Sequence, residues 1–289
     1  MWAAVAAAIA AATGEPFAVE HSTALSGGCI HNAYRVEGRA RVYFVKLGTP
    51  DKRETFAAEA AALEEIGRTH TVRVPAVIGY GSEGAASWLV TEYLTLRPHG
   101  DFRALGQQLA ALHRVTAAAF GWWRDNTIGA TPQHNAQSDN WIKFWREQRL
   151  GFQFECAARS GYGGELQRSG ERLLAALDDL LRDHRPQPTL LHGDLWPGNI
   201  AFDRQGAPVL FDPASYYGDR EADVAMTELF GRLPQAFYAA YHEAHPLEEG
   251  YAARKDLYNL YHVLNHLNLF GAAYLAQAQR LIAQLLRRA

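Results

Sequence analysis

The segment LLHGDLWPGNIAF, residues 190–202, consists of an apolar run, a polar loop and a second apolar run. This pattern is typical of a strand that ends in a loop and is followed by another strand. The loop carries Asp194, and Asn199 follows five residues later. A carboxylate in such a loop can be an ordinary turn residue or a catalytic group, and other segments of the chain bear on that choice.

A further strand-like run, PVLFDPA, leads into Asp212 shortly after this loop. Residues 203–206, DRQG, make a turn between the two runs, so we expect a hairpin that brings Asn199 and Asp212 to the same end. Mg²⁺ prefers oxygen ligands and binds few protein oxygens besides phosphates. Asn199 and Asp212 are therefore predicted to be magnesium ligands.

Two charged residues upstream lie where apolar residues are expected. Lys46 shares a face of the strand RVYFVKL with Val42 and Phe44, and Glu59 lies on the apolar face of a helix predicted over residues 52–67. Each is costly there unless it is paired or reaches solvent. Together they match the ion pair that positions the phosphates of ATP in protein kinases.

The loop of the opening segment has the spacing of a kinase catalytic loop. In phosphoryl transfer to an alcohol, a carboxylate accepts the hydroxyl proton and directs the oxygen toward the γ-phosphate. Asp194 is the candidate for this role, with His192 as structural support. Asp223, on a helix predicted in DREADVAM, is expected to hydrogen-bond the backbone of the loop. ATP and Mg²⁺ are the expected cofactors.

The other nucleotide contacts are expected to come from backbone groups. Gly27, Gly28 and Cys29 lie between two predicted strands just upstream of Lys46, where glycine allows N–H groups to approach phosphate closely. Adenine is expected at the segment that connects the two halves of the chain, on Glu92, Tyr93 and Leu94.

Strand-like runs dominate residues 17–95, and helical periodicity dominates from residue 101 onward. We therefore expect an α+β fold with two lobes, as in protein kinases. Residues 1–95 would form a small antiparallel sheet lobe with one main helix, and residues 96–289 a larger, mostly helical lobe with the catalytic loop, the magnesium site and the acceptor site. Further expectations are an N-terminal helix that stops at Gly14, a helix capped by Asp139, and one helix over about residues 165–183.

Composition excludes several classes of partner. The 289 residues are 48% hydrophobic and carry a formal net charge of −3, so nothing favours nucleic acid. The apolar run at residues 2–12 is shorter than the roughly 20 residues that span a bilayer, so no membrane partner is expected. The two cysteines, Cys29 and Cys156, lie far apart, which favours a reducing cytoplasm.

Several motifs resemble those of the fructosamine kinases, also called ketosamine-3-kinases, over essentially the whole chain. They are SGGCIHNAYRV, YFVKLG, LLHGDLWPGNIAF, LFDPASYYGDREADVAMTELFG and YHVLNHLNLFG. This family is related to the protein kinases and the aminoglycoside phosphotransferases. The forms HGDLW and DPASYYG are more specific than general kinase signals.

The resemblance implies transfer of the ATP γ-phosphate to O3 of a ketosamine, the sugar adduct of an amine such as a protein lysine. The phosphorylated adduct would break down and free the amine, which is deglycation and protein repair. It implies the roles given above for Lys46, Glu59, Asp194, Asn199 and Asp212, and it places Trp196 at the sugar. The late-helix residues His262, Asn265 and His266 are expected to face the same cleft. The protein is expected to be a monomer.

Two positions depart from the family pattern. Gln137 stands where the family has a tryptophan, and Asn140 where it has an aspartate, so the preferred sugar stays open. In addition, the DPA sequence at Asp212 lacks the glycine of the kinase D-F-G motif, so no switch of that kind is expected.

Several alternatives stay open at this point. The chain could phosphorylate another alcohol, such as an aminoglycoside, choline or a free sugar, or it could be a pseudokinase that acts as a binding module. Cys29 could be a redox-sensitive thiol whose oxidation links two chains, or a small packing residue. Trp122 and Trp123 could form a carbohydrate-stacking wall or belong to the core.

Overall fold

The computed structural model describes residues 1–25, 32–39 and 41–289. Within them the chain divides into two compact units. The first consists of Met1–Asp101 and Asn199–Pro213, and the second of Phe102–Gly198 and Ala214–Ala289. The hairpin with the predicted metal ligands thus groups with the first unit, whereas the sequence divided the chain once, between residues 95 and 96.

The strands and helices follow in chain order. The strands are β1 (His21–Leu25), β2 (Asn32–Gly38), β3 (Arg41–Gly48), β4 (Val77–Glu83), β5 (Ala86–Glu92), β6 (Asn126–Ile128), β7 (Thr131–Gln133), β8 (Thr189–Leu190), β9 (Ile200–Phe202), β10 (Pro208–Leu210) and β11 (Tyr217–Gly218). The helices are α1 (Trp2–Thr13), α2 (Arg53–Arg68), α3 (Phe102–Leu112), α4 (Trp141–Phe144), α5 (Phe152–Arg159), α6 (Glu165–Ala175), α7 (Leu177–Leu180), α8 (Glu221–Leu229), α9 (Gln235–Ala244), α10 (Tyr251–Phe270) and α11 (Leu275–Leu286). A π-helical stretch, Trp145–Gly151, joins α4 to α5, and short 3₁₀ turns cover Pro50–Lys52, Pro197–Asn199 and Ala272–Tyr274.

An antiparallel sheet in the order β1-β2-β3-β5-β4 forms the body of the first unit. The strand-like runs predicted within residues 17–95 form two hairpins of this sheet, β2–β3 and β4–β5. Because side chains alternate along a strand, neighbouring positions in β3 and β5 serve opposite faces. Val45 pairs with Val90 and faces one side, and Lys46 pairs with Leu89 and faces the other.

Helix α1 covers the first of these faces. Val5 and Ile9 are fully buried in a cluster that includes Val36, Val45 and Val90. Burial of each side chain of this size contributes roughly 1.5–3 kcal/mol. The helix ends where the sequence predicted, because Gly14 adopts a left-handed φ of 71° and donates its N–H to the carbonyl of Ala10.

Helix α2 lies on the other face of the sheet. Its residues Phe56 and Ala60 form a buried cluster with Leu89 of β5. The helical spacing of Phe56, Ala60, Leu63 and Ile66 predicted this apolar stripe, and all four side chains are buried. The helix therefore carries Glu59 along the same face of the sheet that bears Lys46.

The second unit is mainly helical. Residues 257–265 of α10 are buried throughout, which makes α10 a central helix of this unit. Helix α3 packs closely along α9 at Gly106, where a Cβ atom would lie 2.4 Å from the carbonyl oxygen of Phe237. In the part of the chain that the structure describes, no helix is both long and apolar enough to cross a membrane.

Two local predictions were wrong. The cap of α4 is Asn140, not Asp139, because Asn140 has the extended backbone of a cap residue and its Oδ1 accepts the N–H of Lys143 at 2.9 Å. The single helix expected over residues 165–183 is divided into α6 and α7 at Ala176, and the last residues before Asp183 form turns.

Candidate active site

Lys46 is the centre of a charged cluster in the first unit. Its Nζ atom donates to Glu59 Oε1 and to Asp212 Oδ1, at 2.7 Å in both cases. The Lys46 side chain is 9% exposed and that of Glu59 is 12% exposed, whereas that of Asp212 is 46% exposed. One buried ammonium thus joins a helix carboxylate to a carboxylate at the end of the β9–β10 hairpin.

The cluster shifts the pKa of two of its members. Burial opposes the charged form of Lys46, but the carboxylates of Asp212 and Glu59 outweigh it, so its pKa is raised. Burial also raises the pKa of Glu59; the Asp212 charge adds to this effect, and the Lys46 ammonium opposes it. Lys46 is therefore a fixed cation.

Asp212 has an unusual backbone conformation. Its φ is 56°, in the left-handed region that non-glycine residues seldom adopt. Such strain is found at sites where the surrounding structure dictates the direction of a side chain. Here the carboxylate is directed to Lys46, and the left-handed turn places Asp212 immediately beyond β10.

Asn199 lies at the same end of the hairpin, as the sequence predicted. Its carbonyl accepts the N–H of Phe211 at 3.2 Å, and its Nδ2 atom lies 3.5 Å from the backbone oxygen of Asp212. This contact uses the amide nitrogen as donor, so Oδ1 is the atom that would serve as a ligand. An amide oxygen and a half-exposed carboxylate are hard oxygen donors, and they fit Mg²⁺.

The second unit holds the loop that contains Asp194. Gly193 has a φ of 84°, and a Cβ atom there would lie 2.1 Å from the carbonyl oxygen of Ala214. Only glycine therefore fits between His192 and Asp194. The carbonyl of His192 accepts the N–H of Ala214 at 2.9 Å, and its Nδ1 atom accepts the N–H of Asp194 at 3.3 Å.

Asp223 holds this loop from below, with the hydrogen bonds that the sequence predicted. Its Oδ2 atom accepts the N–H of His192 at 2.7 Å, and its Oδ1 atom accepts the N–H of Gly193 at 2.8 Å. Burial opposes ionisation, but these bonds and the nearby His113 outweigh it and hold the pKa of Asp223 below its usual range. Asp223 is only 1% exposed, and because its pKa is lowered its carboxylate is ionised inside the unit.

His113 and Tyr241 complete this network, and sequence reasoning did not find them. His113 Nε2 lies 3.2 Å from Asp223 Oδ2, and its Nδ1 lies 2.8 Å from the hydroxyl of Tyr241. A proton on Nε2 lets the ring donate to the carboxylate and accept from the hydroxyl. The signal was present, because His113 lies just beyond the end of α3 and follows Leu109, on the apolar face of that helix, by four residues.

The side chains of Asp194 and Trp196 are both half-buried. The N–H of Trp196 donates to the carbonyl of Asp194 at 3.1 Å. The indole of Trp196 packs against Gly198, where a Cβ atom would lie 2.2 Å from the ring. The loop therefore presents Asp194 and Trp196 on a tight local turn.

The predicted acceptor residues of α10 lie in the second unit. His262 and Asn265 are 4% and 3% exposed, and His266 is half-buried. Asn265 contacts Gln153 and the carbonyl of Ile128, at 3.4 and 3.3 Å. Burial lowers the pKa of His262 to about 3, so the ring is neutral.

Other predicted positions fall in different surroundings. Gly27, Gly28 and Cys29 lie outside the described residues. Of the connecting segment, Glu92, Tyr93 and Leu94 are half-buried. Cys156 accepts a hydrogen bond from Arg159 Nη2 at 3.1 Å.

The aromatic pair and the two departures from the family pattern lie in the second unit. Trp122 is 3% exposed and belongs to the core, whereas its neighbour Trp123 is 65% exposed. Gln137 and Asn140 are both exposed, and Asn140 serves as the cap of α4.

The model of the family described as fructosamine kinase matches residues 1–288. The chain belongs to the fructosamine kinase family. Membership in this family confirms two predictions, the phosphotransferase and the resemblance to fructosamine kinases.

Relatives of this fructosamine kinase family member are named as kinases of ketoamines, ribulosamines or fructosamines. A probable ketoamine kinase of Synechocystis sp. is 47% identical over 99% of this chain and 97% of its own length. A chloroplastic protein-ribulosamine 3-kinase of Arabidopsis thaliana is 40% identical over 91% of this chain and 82% of its own length. A crystal structure assigned as a fructosamine-3-kinase from Haemophilus somnus matches with a TM-score of 0.92 and 31% identity, over 99% of this chain and 98% of that one.

More distant structures share the fold alone. An aminoglycoside phosphotransferase, APH(4)-Ia, matches over 98% of both chains with a TM-score of 0.62 and 16% identity. This likeness confirms the predicted α+β, two-lobed, protein-kinase-like fold of this family member.

Proposed function

We propose that the protein is an ATP-dependent kinase that phosphorylates O3 of a ketosamine. Family membership supports this substrate class, as do the relatives named for ketoamines and ribulosamines. The observation that carries the proposal is the buried Lys46 ammonium shared by Glu59 and Asp212. Kinases use such an arrangement to hold the phosphates of ATP beside a metal ligand.

The predicted site residues of the first unit then have roles in nucleotide binding. Lys46, oriented by Glu59, would bind the phosphates. Backbone groups of residues 92–94 would contact the adenine. Those of residues 27–29, which lie outside the described residues, would cover the phosphates. Asn199 and Asp212 would hold Mg²⁺, which when bound neutralises charge on the phosphates.

The chemical step is in-line transfer of the γ-phosphoryl group. The oxygen of the sugar 3-hydroxyl bonds to the γ-phosphorus, and Asp194 accepts the hydroxyl proton. The bond from the γ-phosphorus to the β–γ bridging oxygen breaks, and ADP leaves with that electron pair. Trp196 would contact the sugar. His262, Asn265 and His266 of α10 would contact it as well. The product would then eliminate its 3-phosphate as inorganic phosphate, and water would hydrolyse the remaining carbon–nitrogen linkage and free the amine.

The wider setting belongs to the same proposal. The wide separation of Cys29 and Cys156 in the sequence favours a reducing compartment such as the cytoplasm, and the net charge of −3 gives no reason to expect nucleic acid. The proposed protein is a monomer that acts on a small or protein-bound ketosamine. If Cys29 is a redox-sensitive thiol rather than a small packing residue, an oxidant that takes two electrons from a pair of Cys29 thiols would link two chains by a disulfide and block ATP.

An acceptor panel with ATP and Mg²⁺ tests the proposal. It contains fructosyl-, ribulosyl- and erythrulosyl-lysine, the same adducts on a protein, kanamycin, choline and free sugars, and NMR locates the phosphate of the product. Turnover of a ketosamine with phosphate on O3 is expected. Turnover of kanamycin, choline or a free sugar alone would refute the substrate class, and nucleotide binding without any turnover would favour a pseudokinase.

A further inference from the structure

The hairpin with Asn199 and Asp212 is attached to the first unit at several points. Backbone bonds join Phe202 to Arg97 at 2.7 and 2.9 Å, and the N–H of Leu210 donates to the carbonyl of Arg73 at 2.9 Å. The two strands of the hairpin have only three residues each, so their own ladder is short. The position of the metal ligands therefore depends on these attachments.

The Arg73 side chain makes one attachment of a different kind. Its Nη1 atom donates to Asp203 Oδ2 at 3.2 Å, and its Nη2 atom donates to Glu92 Oε2 at 3.3 Å. Asp203 lies in the turn of the hairpin, and Glu92 is the last residue of β5. A single guanidinium thus joins the metal-ligand hairpin to the strand that leads into the predicted adenine segment.

Both carboxylates are held by second contacts, so neither can follow Arg73 freely. Asp203 Oδ1 accepts the N–H groups of Gln205 and Ala207, both at 2.9 Å, which defines the turn of the hairpin. Glu92 Oε1 accepts the N–H of Ala76 at 3.0 Å, and the N–H of Glu92 donates back to the carbonyl of Ala76 at 2.8 Å.

The sheet end of this bridge is the firmer one. Glu92 pairs with Tyr43 in the five-stranded sheet, whereas Asp203 belongs to the short β9–β10 hairpin. Because a guanidinium is planar and presents several fixed donors, it holds two carboxylates in a defined geometry that an ammonium does not reproduce. Loss of Arg73 is therefore expected to loosen the hairpin and to leave the adenine segment in place.

We infer that Arg73 is a positioning residue that sets the Mg²⁺-dependent part of nucleotide affinity by holding the hairpin of Asn199 and Asp212 to the end of β5. The inference rests on the proposed function only for its ATP and Mg²⁺ site. It does not depend on which acceptor the enzyme uses.

The test compares ATP binding by isothermal titration calorimetry in excess Mg²⁺ and in EDTA. We define the magnesium gain as the Kd in EDTA divided by the Kd in excess Mg²⁺. In Arg73→Met we expect the gain to fall by about 3- to 10-fold, the range that loss of two partly exposed ion pairs allows. The Kd in EDTA is expected to stay within about 2-fold of wild type, since the adenine segment keeps its strand pairing.

Two isosteric variants and one control sharpen the test. Asp203→Asn keeps the acceptor for the turn, and Glu92→Gln keeps the acceptor for Ala76, so each removes only the charge that faces Arg73. Asp203→Asn is expected to lower the magnesium gain as Arg73→Met does. The double variant of Arg73→Met with Asp203→Asn is expected to lower it no further. Arg68→Met is the control, because Arg68 pairs with Glu64 on the surface of α2 and should leave the gain unchanged.

Other results would contradict the role inferred for Arg73. A full magnesium gain in Arg73→Met and Asp203→Asn, or an equal loss of affinity with and without Mg²⁺, would overturn the inference. If Arg73→Met does not fold, Asp203→Asn decides the matter alone. A wild-type protein without any magnesium gain would refute both the metal site and this inference, whereas a failed acceptor panel would refute only the substrate.

Discussion

The ammonium of Lys46 lies 2.7 Å from the carboxylate of Asp212, although 166 residues separate the two along the chain. The contact links a strand of the sheet to the end of the β9–β10 hairpin. Because Lys46 also contacts Glu59, removal of the lysine would leave two carboxylates facing each other without a cation. Catalysis and local order are therefore expected to depend on the same side chain.

Replacing Lys46 with methionine removes the cation proposed to bind the phosphates. We expect kcat/KM for ATP to fall by roughly 10²–10³-fold, as for loss of a charge-stabilising donor in other active sites. Steady-state kinetics at saturating acceptor measure the effect. Lys52→Met is the matched control, because Lys52 is 38% exposed and pairs with Asp51 on the surface. Equal rates in the two variants would remove Lys46 from the mechanism.

Replacing Asp194 with asparagine removes the proposed proton acceptor and preserves its size. A decrease in kcat of roughly 10²–10⁴-fold is expected, the usual contribution of a general base. The Kd for ATP should change little, because Asp194 is assigned to the acceptor. Asp183→Asn, at an exposed aspartate, serves as control. Unchanged turnover in Asp194→Asn would refute the catalytic assignment.

Replacing Asp223 with alanine should lower the stability of the protein, because Asp223 supports the loop of Asp194 and is not assigned to the chemical step. The change leaves the N–H groups of His192 and Gly193 and the ring of His113 without their buried acceptor. We expect the free energy of unfolding to fall by about 2–5 kcal/mol, measured by urea denaturation. Asp223→Asn keeps one acceptor oxygen and should cost less. If both variants were as stable as wild type, these hydrogen bonds would contribute little.

Stability at acid pH should depend on His262. Its pKa is about 3 in the folded protein, against 6.5 for a histidine in water, so only the unfolded chain binds a proton between these values. The folded state therefore loses stability as the pH falls from about 6.5 toward 3, at up to about 1.4 kcal/mol per pH unit.

The variant His262→Gln lacks this titration and isolates its effect. We expect the stability of wild type relative to His262→Gln to be constant above about pH 7 and to decline below about pH 6.5. Denaturation curves at several pH values measure the difference. Parallel pH profiles for the two proteins would show that His262 does not titrate on unfolding in this range.

Much of the fold and of the charged cluster around Lys46 follows from local patterns in the sequence. Strand-like runs predicted the antiparallel sheet of the first unit, and helical spacing predicted α2. Lys46 and Glu59 were found because each charge interrupts an apolar face, and burial of such a charge requires a partner. The tight turns at Gly14 and Gly193 follow from glycine itself, which adopts the left-handed backbone without a steric cost.

The tertiary structure decided which distant residues meet. It joins the 199–213 hairpin to the first unit, places His113 between Asp223 and Tyr241, and places Arg73 between Glu92 and Asp203. Periodicity reports which face of an element is buried, but it does not report the partner across that face. Apart from the contact of Arg73 with Glu92, these contacts depend on how the chain returns after more than a hundred residues. The spacing of His113 indicates only that its ring faces the core, and it does not identify Asp223 or Tyr241 as its partners.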